Sequence, residues 1–421
     1  MAQSPSPYSR AAWLLLGPVA RQLITVRFLR GIAQGAFAVD FTLYLAARHW
    51  SAPEIGLLLM AGGLFGTLLS LLVGVTSDRV GRRSFLLIYE VGLVLGTAAV
   101  VLAPSTWVVA TVAALFGFGR GANGSSGPFA PAEQAWLAQV LPSDRRGTVF
   151  SLNAALQFSG MGVGSLLAAL LPYATPGVHG AAAYLPLFIL NLLVAGVNLA
   201  QIWLLKETPP GESDEEDVAP GGAAAERAVR RRENRALASL VWVNMINSLG
   251  GGLIAPLLPY WFSLRFGAGP ESIGPVYALT FFLTGASSLV IGRISERVGL
   301  IRSTVVPRAF GVVLLVCIPF MPTFAAAAVL YVLRSILNRG SVGARQAFGV
   351  GLVRDRRRGL ASSLNSISWS LPSSIGPAIG GLLIGAGSLV WPFLLASALQ
   401  LGYVVLFPRV MGRYEARKET A

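Results

Sequence analysis

A chain of 421 residues in which 54% are hydrophobic and only 12% charged lacks the polar surface of a soluble protein, where about 25% of residues carry charge. Its mean hydropathy of +0.64 excludes a secreted protein or a large soluble domain. The net charge of +14 is spread through short segments between apolar runs, the pattern of loops held on one side of a membrane beside anionic headgroups, so nucleic acid is not an expected partner.

The stretch "AAWLLLGPVA" after Arg10 is too short to span a bilayer and reads as an interfacial N-terminal helix. Apolar runs near the ~20 residues needed for a crossing then predict helices over 24–46, 54–76, 84–103, 106–139, 147–171 and 181–205. A second set follows over 236–264, 271–293, 303–321, 323–353, 358–385 and 388–411. The expected fold class is an all-α membrane protein with about twelve transmembrane helices in two pseudo-symmetric six-helix halves. The halves are 1–205 and 236–421. Between them, 206–235 is a polar stretch that begins acidic and ends basic, the composition of a solvated linker whose end is expected to form a basic helix lying on the membrane.

Arginine placement sets orientation. Alternate loops hold Arg79, Arg82 and Arg83; Arg145 and Arg146; Arg230 to Arg232; Arg297 and Arg302; and Arg356 to Arg358, whereas the opposite loops offer Arg48 and Arg265. Both termini and the linker are therefore expected in the cytoplasm, with the protein multi-pass in the plasma membrane. One cysteine, Cys317, and two histidines, His49 and His179, argue against a disulfide, a zinc site or a Ser-His-Asp triad. No nucleotide-binding G-x-x-x-x-G-K-[ST] loop is present, so an ATP-driven or enzymatic role has no visible site; no cofactor is expected.

The two halves repeat each other. "GVTSDRVGRR" from Gly74 recurs as "GRISERVGLI" from Gly292, an offset of 218, and "RRGTVFSLN" ending at Asn153 recurs as "RRGLASSLN" ending at Asn365, an offset of 212. Between them Arg120 matches Arg334, and "AEQA" around Glu133 matches "ARQA" around Arg345. Parallel repeats related by an axis along the membrane normal suit a transporter rocking about a central site.

The loop Gly74, Asp78, Arg79, Gly81, Arg82, Arg83 resembles the G-x-x-x-D-R-x-G-R-[RK] signature of the major facilitator superfamily, and the resemblance covers nearly the whole chain. It implies a gate: a carboxylate and arginines that bridge the halves on the cytoplasmic side in one conformation and release in the other, with glycines permitting a tight turn. The element "RGANG" is similar to the family's R-x-x-Q-G, with Asn123 in place of glutamine; in drug–proton antiporters that arginine, here Arg120, is associated with coupling. Two features depart from the antiporter pattern. Helix 5 carries Ser165 where proline stands in G-x-x-x-G-P-x-x-G-G, and Gln139 replaces an acid common near the end of helix 4.

Charges within membrane helices are costly unless paired or facing water, which makes them functional candidates. Asp40, Glu90, Arg120, Glu133, Arg334, Arg339 and Arg345 qualify, with a structural role favoured for Glu90. Helix 4 is interrupted by "GFGRGANGSSGPFAP" and helix 10 by "NRGSVGAR". Breaks at matching places in two halves point to a binding site. That nominates Asn338 and, beside the charged pair Glu133 and Arg345, Gln134 and Gln346. Asn244 and Asn247 share one helical face and either line the cavity or bond between helices. The expectation is a monomeric secondary transporter of a small organic molecule, coupled to protons through Asp40 or Glu133 and working in efflux. An organic anion or zwitterion transporter, or a lipid-translocating protein on the same fold, are the alternatives.

Overall fold

The chain, seen in a computed structural model, is described over residues 16–119, 127, 130–141, 146–206, 223–298, 300–339 and 358–415. Lipid offers the backbone no hydrogen-bond partner, so apolar runs of this length close their bonds inside helices. Fourteen α-helices and no strand occur among the described residues. The first half comprises α1 (Pro18–Ala47), α2 (Ala52–Val80), α3 (Arg82–Leu102), α4 (Thr106–Phe116), α5 (Ala130–Gln139), α6 (Arg146–Ala174) and α7 (Leu185–Leu204). The second comprises α8 (Ala223–Gly252), α9 (Leu258–Phe266), α10 (Pro270–Val298), α11 (Leu300–Cys317), α12 (Phe324–Arg339), α13 (Arg358–Gly385) and α14 (Trp391–Glu415). Among the described residues, six segments, such as Ala52–Val73 and Trp391–Gly412, are long and apolar enough to cross a bilayer by themselves. The protein is an all-α membrane protein with about twelve crossings in two six-helix halves.

Among the described residues, two crossings are made of paired helices. Crossing four stops at Phe116, where Gly117 takes a left-handed φ of 68° as C-cap, and resumes at Ala130. Its start is fixed by Ser105, whose side chain accepts a hydrogen bond from the Val108 backbone N–H, an N-cap. Crossing seven, read from the sequence as one helix over 236–264, is α8 followed by α9, with a turn at residues 253–257. Pro256 cannot donate to an interior helical bond, and Gly250–Gly252 lower helix propensity just before it. At its other end α8 starts at Ala223, thirteen positions ahead of the expected 236, because "AAAERAVRRRENRAL" is rich in strong helix formers.

The lipid-facing surface is apolar. Trp107 is 83% exposed and Leu102 84%, which in water would invite aggregation and in a bilayer is the expected face. Between the halves α2 packs on α13 and α6 on α10. Glycines permit this approach: a Cβ at Gly56 would lie 2.3 Å from the Pro377 carbonyl oxygen, one at Gly381 2.4 Å from that of Ala52, and one at Gly274 2.5 Å from that of Ser165. These contacts involve the start of α2, the end of α13 and the start of α10, so the halves approach closely at the end of the bundle opposite the start of α1 and the end of α14.

Candidate transport site

Among the described residues, the densest charged cluster lies inside the first half. Arg27 and Arg30 stand one turn apart on α1 and converge on Glu133, in the first turn of α5. Arg30 Nη1 donates to Glu133 Oε2 at 2.8 Å, and Arg27 Nη1 to Oε1 at 3.4 Å. Arg30 Nη2 also donates to Glu90 Oε1 of α3 at 2.6 Å. Arg27 adds two bonds to Gln157 Oε1 on α6, 3.2 and 2.9 Å, and Gln157 Nε2 donates to Gln34 Oε1 at 3.4 Å. Glu90 and Glu133 are 0% and 1% exposed; carboxylates so buried persist only with cationic partners. Two guanidinium groups and two carboxylates therefore balance one another across three crossings, with Gln157 joining a fourth.

Glu133 thus engages both oxygens within its own half. Gln134, the next residue, is exposed and takes no part in the cluster. The sequence reading omitted Arg27, Arg30 and Gln157. The available signal was a pair of arginines at i, i+3 inside an apolar helix, which membrane energetics alone flags.

Asp40, one of the two carboxylates expected to couple, lies farther along α1. It is 0% exposed, and neither carboxylate oxygen has a hydrogen-bond partner among the described residues. Glu271, in the first turn of α10 in the other half, and Tyr184 lie within its electrostatic reach. Phe37, Phe41, Tyr44, Phe118 and Phe188 form an aromatic cluster around this stretch of α1.

In the second half Asn244 and Asn247 serve as interhelical ties, one of the two roles open to them. Asn244 Nδ2 donates to Asn365 Oδ1 of α13 at 3.0 Å, and Asn247 Oδ1 accepts from Arg308 Nη1 of α11. Arg308, also missed in the sequence, lies beneath the rings of Tyr403 and Trp369, 5.1 and 6.0 Å from their centroids. Arg334 Nη2 donates to Gln400 Oε1 of α14 at 3.3 Å, and Asn338 lies beside Gly311 of α11.

Around the signature loop, Gly81 takes φ 97° between α2 and α3, a conformation that favours glycine. Gly74, by contrast, sits inside α2 and makes no turn. Arg82 Nη1 donates to Gln139 Oε1 at 2.9 Å. Arg83 donates to the carbonyls of Ile202 at 3.3 Å and Trp203 at 2.6 Å. These contacts tie the loop to α5 and α7 of its own half. The side chains of Asp78, Arg79 and Arg339, and the whole of Arg120, Asn123, Arg345 and Gln346, lie outside the described residues.

The model of the Major Facilitator Superfamily matches residues 23–243 and 240–421, and the chain belongs to that family. An uncharacterised membrane protein of Saccharomyces cerevisiae is 21% identical over 400 residues, covering 88% of this chain and 89% of the relative. Two solved structures share the fold. The nucleoside transporter NupG, solved as a point mutant, superposes with a TM-score of 0.71 at 12% identity, over 93% of this chain and 99% of its own. A bacterial homologue of the human lysosomal transporter Spinster, inward-facing and unoccupied, gives 0.65 at 15% identity over 98% of both. The protein is a major facilitator transporter of some small substrate.

Proposed function

We propose that this transporter moves a small organic molecule by alternating access, coupled to protons through Asp40 and running in the direction of efflux. The carrying observation is the contrast between its carboxylates. Glu90 and Glu133 are committed to Arg27 and Arg30, whereas Asp40 is fully buried with both oxygens free of hydrogen-bond partners among the described residues. An ionisable group kept at that depth without a structural partner is the one available to a proton. It also stands where the halves meet, near Glu271, so opening that end would change its surroundings. The outward direction rests on the likeness of Arg120–Gly124 to the antiporter element. The stretch Gly74–Arg83 acts as the gate; the bonds of Arg82 and Arg83 to α5 and α7 support its moving as one piece with the first half. Both termini face the cytoplasm in this reading, and the working unit is a monomer.

Proteoliposomes loaded with a compound panel, with and without a pH gradient, test the coupling. Asp40→Asn is expected to abolish gradient-driven accumulation while downhill exchange continues, and Asp78→Asn to slow exchange without loss of binding. Accumulation by Asp40→Asn equal to that of the unaltered protein removes Asp40 from the coupling path.

A further inference from the structure

The seam between α3 and α7 is pinned at both ends. Asn191 Nδ2 of α7 donates to Thr97 Oγ1 of α3 at 2.8 Å, and Arg83, at the other end of α3, donates to the carbonyls of Ile202 and Trp203. The two helices therefore run antiparallel, with Thr97 level with Asn191 and Arg83 level with the end of α7. Glu90 lies seven positions from Thr97 and seven from Arg83, so the three share one stripe of α3. Asn198 lies seven positions from Asn191, on the matching stripe of α7. Seven residues rise about 10 Å in either helix, which brings Glu90 and Asn198 to one level, facing each other across the seam.

Both side chains are shut away from the surface: Glu90 is 0% exposed and Asn198 1%. Arg30 takes Glu90 Oε1, but Glu90 Oε2 has no hydrogen-bond partner among the described residues, and neither Asn198 Oδ1 nor Asn198 Nδ2 has one. Arg30 Nε, on the guanidinium that holds Oε1, is likewise unpartnered. An amide offers two N–H donors and one acceptor, whereas a carboxylate oxygen only accepts, so Asn198 and Glu90 are chemically complementary. They face each other and yet do not bond. Leu86, Leu93, Ala195 and Ile202, which flank the pair one turn away, are buried and apolar, so none of them is the partner.

Left dry, an amide and a carboxylate oxygen at this depth each carry a desolvation cost with nothing to offset it. Packed helices stand about 8–10 Å apart, and a gap that two opposed polar side chains fail to close is the kind that one water spans. Buried waters occupy such places, bonding polar groups that the protein itself leaves unsatisfied. We propose that Glu90 and Asn198 enclose a buried hydration site, in which an ordered water accepts from the Asn198 amide and donates to Glu90 Oε2. The water saturates the carboxylate on the side that Arg30 does not reach. It also ties α7 to the charge cluster, whose direct bonds join α1, α3, α5 and α6. The site belongs to the polar core of the first half and does not depend on the transport reading.

The test joins a structure of the full-length protein in nanodiscs, at a resolution that shows ordered water, to the thermal midpoint of one variant. Density is expected about 2.7–3.2 Å from both Glu90 Oε2 and the Asn198 amide. Asn198→Leu fills nearly the same volume without a polar group. With a water at the site, the leucine strips it and leaves Oε2 dry, and the midpoint falls by about 2 °C or more. With an idle amide instead, the leucine removes its cost and the midpoint rises. A raised or unchanged midpoint, a seam without density between the two side chains, or a direct Asn198–Glu90 hydrogen bond overturns the site. Where Asn198→Leu yields no folded protein, the density in the unaltered protein decides alone.

Discussion

Glu133 illustrates how much a single buried charge depends on its neighbours. Its two oxygens receive Arg27 and Arg30, and all three side chains are buried. Replacing it with glutamine leaves two guanidinium groups facing the one carboxylate of Glu90. Breaking a buried pair in this way costs about 3–5 kcal/mol, so Glu133→Gln should lower the thermal midpoint of the detergent-solubilised protein by several degrees. Adding Arg27→Gln should restore part of the loss, because the two residues share one network. A midpoint unchanged by Glu133→Gln would mean that the cluster does not hold α1, α3 and α5 together. This cluster was half legible. The acids stood out as charges in apolar helices and Arg27 and Arg30 meet the same criterion, but Arg27 lies 106 positions from Glu133 and nothing local links them.

At the scale of elements, the close packing of α2 on α13 depends on side chains that are missing. A Cβ at Gly56 would sit 2.3 Å from the Pro377 carbonyl oxygen, and Pro377 is backbone that cannot swing aside. Gly56→Leu therefore forces the two helices apart at the end where the halves meet. Overpacking of this kind costs about 1–3 kcal/mol, enough to change the ratio of two conformations about fivefold or more. Spin labels at Ser51→Cys and Ala386→Cys, both at that end, should report longer distances in Gly56→Leu than in its absence. An unaltered distance distribution would remove the glycine seam from the conformational balance. The sequence announced abundant glycine and the interruption of crossing four, since Gly, Ser and Pro cluster there. It did not announce the turn in crossing seven, where one proline after three glycines suffices. Nor did it reveal that the basic helix expected at the end of the linker runs on into crossing seven as α8 from Ala223, since hydropathy sees only the apolar part.

For the whole molecule, the arginine asymmetry predicts that both termini and 206–235 lie on the cytoplasmic side of the membrane. A cysteine at Ser213 should resist membrane-impermeant thiol reagents in intact cells and react after lysis. Ready labelling in intact cells reverses the orientation. The membrane class, the helices and the two-half repeat follow from sequence alone, because lipid compels helices of a fixed length and a duplicated half leaves the same motifs in the same order. What only the tertiary structure decided is which charges meet. Whether Glu133 faces Arg30 or a residue of the other half depends on how each helix is rotated and tilted against its neighbours. Side-chain packing at close range sets that rotation, and a hydropathy pattern, which leaves every face of a buried helix equally apolar, does not specify it.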